Sequence, residues 1–319
     1  MKAFTYQSVN TVNAAVAALT QNQGNARIIA GGTDLLGTMK DEIWPTYPQV
    51  LVDIKNIPNL NNITTDSSGT LHVGALAKLS DIANSSTVST TWPALAQAAA
   101  AVASTHIREM GTLGGNLCQE VRCWYYRTEQ NFFYCVRKGG LMCYAQAGDN
   151  RFHSIFGGPA GCYSAYPSDT AAVLLALNAS VITNSRTIPI DSFFDNLKGN
   201  VLSNTEMVTE VDIPAPPTGS KQTYVKFRLR KTIDFPIVSV GDLITVTSGN
   251  VSAARIALGA VAPTPIRATA AEKALVGQAI SSTTAAAAAT AVTSGTYPMT
   301  KNKFKVLILQ ALIEQAIQS

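Results

Sequence analysis

Two glycine pairs and a cluster of cysteines carry most of the chemical information in this sequence. AGGTDL, residues 30–35, sets two glycines after an apolar run. There a bare backbone can approach a ligand, and the amides opening the next helix favour an anion such as a pyrophosphate. TLGGN, residues 112–116, repeats the device among polar neighbours. All five cysteines lie between Cys118 and Cys162, and Cys123, Cys135, Cys143 and Cys162 are separated by 12, 8 and 19 residues. Four thiolates can hold a 4Fe-4S cluster or a tetrahedral zinc ion.

Each of these features has a plainer reading. A lone glycine pair is most often a tight turn, and neither pair matches G-x-G-x-x-G or the Walker pattern, so Rossmann and P-loop assignments fail. Two such turns in separate lobes nevertheless point to one extended phosphate-bearing ligand between them. Structural zinc sites usually carry close Cys pairs, and none exists here. Disulfides fit poorly with an odd cysteine count and an N-terminus that shows no secretory signal. Free buried thiols remain an alternative, and Cys118 reads as a small buried hydrophobe or a fallback ligand. Of the three histidines, His72 alternates within a strand, His106 ends a helix and His153 lies inside the cysteine window as a candidate metal ligand. No nucleophile, base and orienting group fall together, which argues against a hydrolase.

The elements that must position these residues are legible in outline. ARIIA (26–30) reads as a strand, then a glycine turn and a helix capped by Thr33 or Asp34. VLVDIKNI follows as a second buried strand, giving a right-handed parallel β-α-β unit, with a helix ahead of it that stops at Gly24. Residues 1–55 are therefore expected to form a small α/β lobe. Residues 56–212 should form a second lobe of mainly antiparallel sheet, with a hairpin at a Ser-Ser-Gly turn, a helix from Leu79, an alanine-rich helix over 92–107, and a helix plus strand pair after Asp169. The proline-rich stretch 211–222 reads as a link into a third unit, 213–319, with strands at 223–230, 236–247 and 251–259 and helices at 268–276 and 302–317. The Ala/Thr run from Ser281 to Thr293 resembles low complexity, yet its alanines permit a helix.

Composition bounds the partners. The chain has 319 residues, 46% hydrophobic and 14% charged, which describes an ordinary soluble globule of at least two domains. No apolar run reaches the roughly 18 residues of a membrane span. A net charge of +4 with scattered basic residues, apart from a cluster at Lys226 to Lys231, makes nucleic acid an unexpected partner.

AGGTDL, TLGGN and a Pro167-Ser168-Asp169 triplet after Cys162, in that order, resemble the flavoprotein subunit of the xanthine oxidase family of molybdenum hydroxylases. The resemblance covers nearly the whole chain. It implies an α+β protein: a PCMH-type FAD-binding fold made of a small α/β lobe and an antiparallel lobe, followed by a C-terminal α+β domain like that of the carbon monoxide dehydrogenase flavoprotein. Most members pass directly from GGN to PSD, whereas this chain inserts a segment (118–162) carrying RCWYYR, YCVRKGG and MCYAQAGDNRFHSIFGG. That insertion resembles the flavin subunits with an added 4Fe-4S cluster, 4-hydroxybenzoyl-CoA reductase and, more closely, periplasmic aldehyde oxidoreductase.

The resemblance also assigns roles. Arg27, Ile28, Ile29, Ala30, Gly31, Gly32, Thr33, Asp34 and Leu35 should wrap the FAD pyrophosphate. Thr112, Gly114, Gly115 and Asn116 should hold its other side, Asp169 the ribityl or phosphate region, and Lys231 a place near the isoalloxazine. Cys123, Cys135, Cys143 and Cys162 fall where the cluster ligands fall. One departure is Tyr166, which stands where the family usually has a histidine before Pro-Ser-Asp. The implied partners are a large molybdenum-cofactor subunit, a small subunit with two 2Fe-2S clusters, and an external acceptor other than NAD, for which no motif is evident. Export with a signal-bearing partner is compatible with the sequence, as is a cytoplasmic place. Two rival readings are a self-contained flavin oxidase of the same fold group, which would need an acid-base residue over the flavin, and a scaffold whose cysteines bind structural zinc.

Overall fold

In the computed structural model, which describes residues 1–319, the chain opens with a three-stranded parallel sheet. Strands β1 (Thr5–Ser8), β2 (Ala26–Ile29) and β3 (Val50–Asp53) lie in the order β1-β3-β2. Helix α1 (Val12–Gln21) joins β1 to β2, and α2 (Leu35–Lys40) follows β2. The Thr11 hydroxyl caps α1 by accepting from the Ala14 amide, and Ala15, Ala18 and Leu19 pack against Ala26, Val52 and Ile54. β1 went unread in the sequence because all four of its residues are exposed, so it shows no alternation.

A five-stranded antiparallel sheet forms the middle of the molecule. β4 (Ile63–Thr65) and β5 (Leu71–Gly74) make the expected hairpin. Helices α3 (Leu79–Asn84), α4 (Ser86–Thr91), α5 (Pro93–Ala101), α6 (Thr105–Arg108) and α7 (Leu113–Leu117) follow. After the cysteine window come α8 (Asp169–Ala176), β6 (Ser180–Thr183), β7 (Thr187–Pro189), α9 (Ile190–Phe193), a small pair β8 (Phe194–Asp195) and β9 (Gly199–Asn200), and β10 (Val208–Ile213). The sheet order is β4-β5-β10-β6-β7.

Two expectations need correction here. The alanine-rich helix over 92–107 breaks at Val102–Ser104, where Ala103 takes a φ of 42°. The break follows from long-range capping: the Lys226 and Arg228 side chains donate to the Ala101 carbonyl at the end of α5, and the Ile233 amide donates to the Ala103 carbonyl. The stretch 211–222 is not all link, because residues 211–213 complete β10, the central strand of the sheet. Its buried Val208, Val211 and Ile213 carry it into the core despite the prolines that follow.

The C-terminal region is a four-stranded antiparallel sheet, β11 (Ser220–Phe227), β12 (Val238–Thr247), β13 (Asn250–Gly259) and β14 (Ile266–Arg267), covered by α10 (Thr269–Leu275), α11 (Ser282–Thr293) and α12 (Phe304–Gln318). The Ala/Thr run is thus a helix, started by a reciprocal capping box between Ser281 and Thr284. Fully buried α8 packs on β12 and β13 as well as on α5, so one helix joins the middle and C-terminal cores.

The cysteine window between α7 and α8 holds no regular element longer than one helical turn. It is fixed from both sides instead. Arg122 and Arg127 pair with Asp34 of the first lobe, while Asn302 and Lys305 near the start of α12 donate to the His153 carbonyl.

Candidate functional site

A cleft of about 540 Å³ runs between the first lobe and the middle sheet, lined by both glycine turns. This is within the size range of small-molecule and cofactor sites. The first turn enters it as β2 ends. The amide N–H groups of Gly31, Gly32, Thr33, Asp34 and Leu35 find no hydrogen-bond partner in the chain, so five consecutive donors are left for whatever the cleft holds. Backbone donors of this kind are normally satisfied, and a run of them suits a pyrophosphate. Thr112 begins α7 opposite, its hydroxyl accepting from the Gly115 amide.

The glycines prove to serve loop-to-loop contact as much as ligand contact. A Cβ on Gly31 would lie 1.9 Å from the Met110 carbonyl oxygen, so the two turns can abut only because that atom is absent. Gly32 has a φ of 70°, a left-handed conformation that glycine adopts without strain.

A second, small cavity lies beside the first. Cys123, Cys135, Cys143 and Cys162 all line it, with Val121, Tyr125, Val136 and Tyr144 making it largely apolar. All four thiols are unpaired, which removes the disulfide reading. No three of their sulfurs lie within 4.8 Å of one another. Four thiols on one apolar pocket are a donor set that either a zinc ion or an iron-sulfur cluster can use. His153 Nε2 sits 3.2 Å from the Cys123 sulfur. Burial and the nearby Lys305 ammonium push the His153 imidazolium down to about 4, leaving the ring neutral. The Cys162 thiol donates to the Ser164 hydroxyl at 3.2 Å.

The wall between cleft and cavity consists of Tyr126 and Arg137, which line both. Arg137 is buried there, and its neighbour Lys138 is buried against the Tyr126 ring. Arg137 Nε and Nη2 and Lys138 Nζ have no hydrogen-bond partner, and the Glu120 carboxylate is 3.9 Å from Arg137 Nη2. Unpartnered buried cations around four thiols are what an anionic group in the cavity would balance.

Most of the residues singled out from the sequence converge on the cleft. Arg27, Ile28, Ala30 to Leu35, Thr112, Gly114 and Gly115 line it. Ile29 instead packs with Met39 and Leu51 in the core. Asp34 lines the cleft but spends its carboxylate on Arg122, Arg127 and the Glu120 amide, so it ties the glycine turn to the segment entering Cys123. Asn116 faces away from the cleft, its side-chain oxygen accepting from Ser168 and Thr170, and thereby joins GGN to PSD. Asp169 is buried against Tyr224 and Lys226, and Lys231 is exposed on the loop after β11; the fold brings neither to the cleft. Cys118, expected buried, is exposed and lines the cleft, because it caps α7 with its side chain on the open side. His72 is in β5 as expected, between Glu210 and Asp212. Tyr166 donates its hydroxyl to the Leu117 carbonyl, a structural bond at the end of α7. Sequence reading missed Trp44, Gln119, Glu120, Tyr126, Arg137 and the stretch from Leu197 to Val208, which close the cleft. The polar LKGN turn was the one signal for the last of these.

Comparison with known proteins agrees with this geometry. Residues 2–216 match the FAD binding domain in molybdopterin dehydrogenase, and residues 222–319 the CO dehydrogenase flavoprotein C-terminal domain. The chain is 34% identical to the aldehyde oxidoreductase FAD-binding subunit PaoB of Escherichia coli K12, across 99% of this chain and 98% of that protein. It is 29% identical to the carbon monoxide dehydrogenase medium chain of Hydrogenophaga pseudoflava, across 90% and 85% of the two chains. Among solved structures, a carbon monoxide dehydrogenase from the same organism superposes with a TM-score of 0.79 at 27% identity, covering 99% of this chain and 96% of that one. Quinoline 2-oxidoreductase from Pseudomonas putida 86 gives 0.77 at 25% identity, covering 99% and 97%.

Proposed function

Since the chain belongs to the FAD-binding subunits of the xanthine oxidase family of molybdenum hydroxylases, we propose that it carries electrons through two centres, FAD and a 4Fe-4S cluster, in an aldehyde-oxidising complex. The observation that carries this reading is the pair of adjoining cavities, one lined by orphaned backbone donors and the other by four thiols, which share Tyr126 and Arg137 as their common wall. The 34% identity to an aldehyde oxidoreductase subunit over nearly both full lengths supports aldehyde as the substrate class.

In this reading the chain's residues bind and orient; they make and break no substrate bond. The amides of Gly31 to Leu35 donate to the pyrophosphate, Thr33 and Thr112 add hydroxyls, and Ala30, Gly114 and Gly115 let the cofactor lie against backbone. Asn116 and Asp169 act from behind, by fixing α7 and α8. Cys123, Cys135, Cys143 and Cys162 ligate the cluster in a pocket whose apolar lining keeps water out. When bound, FAD supplies two-electron capacity and the cluster one-electron capacity, chemistry that side chains lack. The three units, 1–55, 56–212 with its cysteine insertion, and 213–319, then serve as two FAD-binding lobes and a C-terminal domain. A large molybdenum-cofactor subunit and a small 2Fe-2S subunit are the partners that would deliver electrons. A quinone, ferredoxin, cytochrome or oxygen would take them. No helix is long and apolar enough to cross a membrane.

The test is a rapid-mixing experiment on the purified complex. Adding an aldehyde should bleach the flavin band, and the isolated chain should show no bleaching with the same aldehyde. Turnover by the chain alone would make it a self-contained oxidase. Rapid reduction of NAD by the complex would refute the assignment of acceptor.

A further inference from the structure

Arg137 stands between Cys135 and Cys143 in sequence, and in space its guanidinium is part of the wall that both cavities share. The side chain is 2% exposed. Nη1 donates to the Asn196 carbonyl at 2.9 Å, the guanidinium lies 5.6 Å from the centre of the Tyr126 ring, and Nε and Nη2 have no hydrogen-bond partner. The Lys138 ammonium is buried beside it, 5.2 Å from the same ring. Glu120, whose carboxylate is 3.9 Å from Nη2, balances one of these two cations. One positive charge and at least two donors are left inside the protein with nothing to meet, a costly arrangement unless an anion belongs there.

We propose that Arg137 is a positioning residue that sets the reduction potential of the group held by the four cysteines, acting from the wall that group shares with the flavin cleft. The inference rests on the proposed function, because it takes that group to be a 4Fe-4S cluster. Four thiolates and a doubly positive core sum to two negative charges, and one-electron reduction makes it three. A cation held in the wall favours the more negative state, and hydrogen bonds to ligating sulfur act in the same direction.

The experiment is a potentiometric titration of the anaerobically purified full-length chain, following the cluster by electron paramagnetic resonance and the flavin by absorbance. Arg137→Met should lower the cluster's one-electron reduction equilibrium constant at least tenfold, a shift of about 59 mV to more negative potential, with iron content unchanged. Arg137→Lys keeps the charge and should recover most of the shift. Glu120→Gln removes the neighbouring negative charge and should move the potential the opposite way, a reversal that a merely structural role does not produce. Should Arg137→Met lose its iron, the lysine and glutamine variants decide the matter. Potentials unchanged in iron-replete Arg137→Met, or in Glu120→Gln, overturn the inference. Absence of iron from the wild-type chain would instead refute the proposed function, so the two failures are distinguishable.

Discussion

Gly31→Ala is the sharpest perturbation of the cleft. The added Cβ would meet the Met110 carbonyl oxygen at 1.9 Å, where contacts below 3.0 Å essentially never occur. The neighbour is backbone, so the two turns must part by about 1 Å, and overpacking of this kind costs about 1–3 kcal/mol. If that cost falls on the bound state, with each 1.4 kcal/mol worth about tenfold, FAD affinity drops roughly 5- to 150-fold. Gly37→Ala is the matched control six residues on. It lies in α2 with nothing within 4 Å of its added Cβ, and should leave affinity unchanged while stabilising the helix by about 0.5–1 kcal/mol. The assay is titration of deflavinated protein with FAD, read by quenching of flavin fluorescence, alongside thermal unfolding. Wild-type affinity in Gly31→Ala would refute the view that abutting turns shape the site, and an equal loss in both variants would mean that any added methyl disturbs the region.

Three further outcomes follow from the same geometry. Asp34→Ala removes the acceptor shared by Arg122, Arg127 and the Glu120 amide; iron should be lost together with FAD, whereas Gly31→Ala should lose FAD and keep iron, and metal analysis of both variants checks this. Lys226→Met strands the Asp169 carboxylate in the core; removing one partner of a buried pair costs about 3–5 kcal/mol, measurable by urea unfolding, and an unchanged midpoint would contradict the role given to this pair. Burial pushes the Asp242 carboxyl up to about 8, so the folded state holds a proton that the unfolded state releases near its ordinary value of 3.8. Stability should therefore fall as pH rises from about 4 to 8. Asp242→Asn should gain on wild type over that window, and parallel melting curves across it would refute the assignment.

Residues close together in sequence made much of this molecule legible. The strand, glycine turn and helix of AGGTDL are local, as are the hairpin at Gly69 and the helical character of α8, and each appears where the pattern places it. The four cysteines were recognisable as a set, and they do line one cavity. What stayed hidden depends on long-range contacts. The break after α5 is set by Lys226 and Arg228 from β11 and the loop after it. β10 is central because β5 and β6 flank it, although its own sequence runs into prolines. Asp34 reads as a ligand residue, yet its partners Arg122 and Arg127 lie about ninety positions away. Nothing local in the sequence marks Arg137, and only the fold gives it two cavities at once.

The central claim, two redox centres on one chain, is tested most directly by composition. Protein purified anaerobically would be assayed for FAD, iron, acid-labile sulfide and zinc per polypeptide, with electron paramagnetic resonance after reduction. The predicted result is about one FAD, four iron and four sulfide, with a cluster signal on reduction. FAD without iron, or zinc in the four-cysteine cavity, would contradict it.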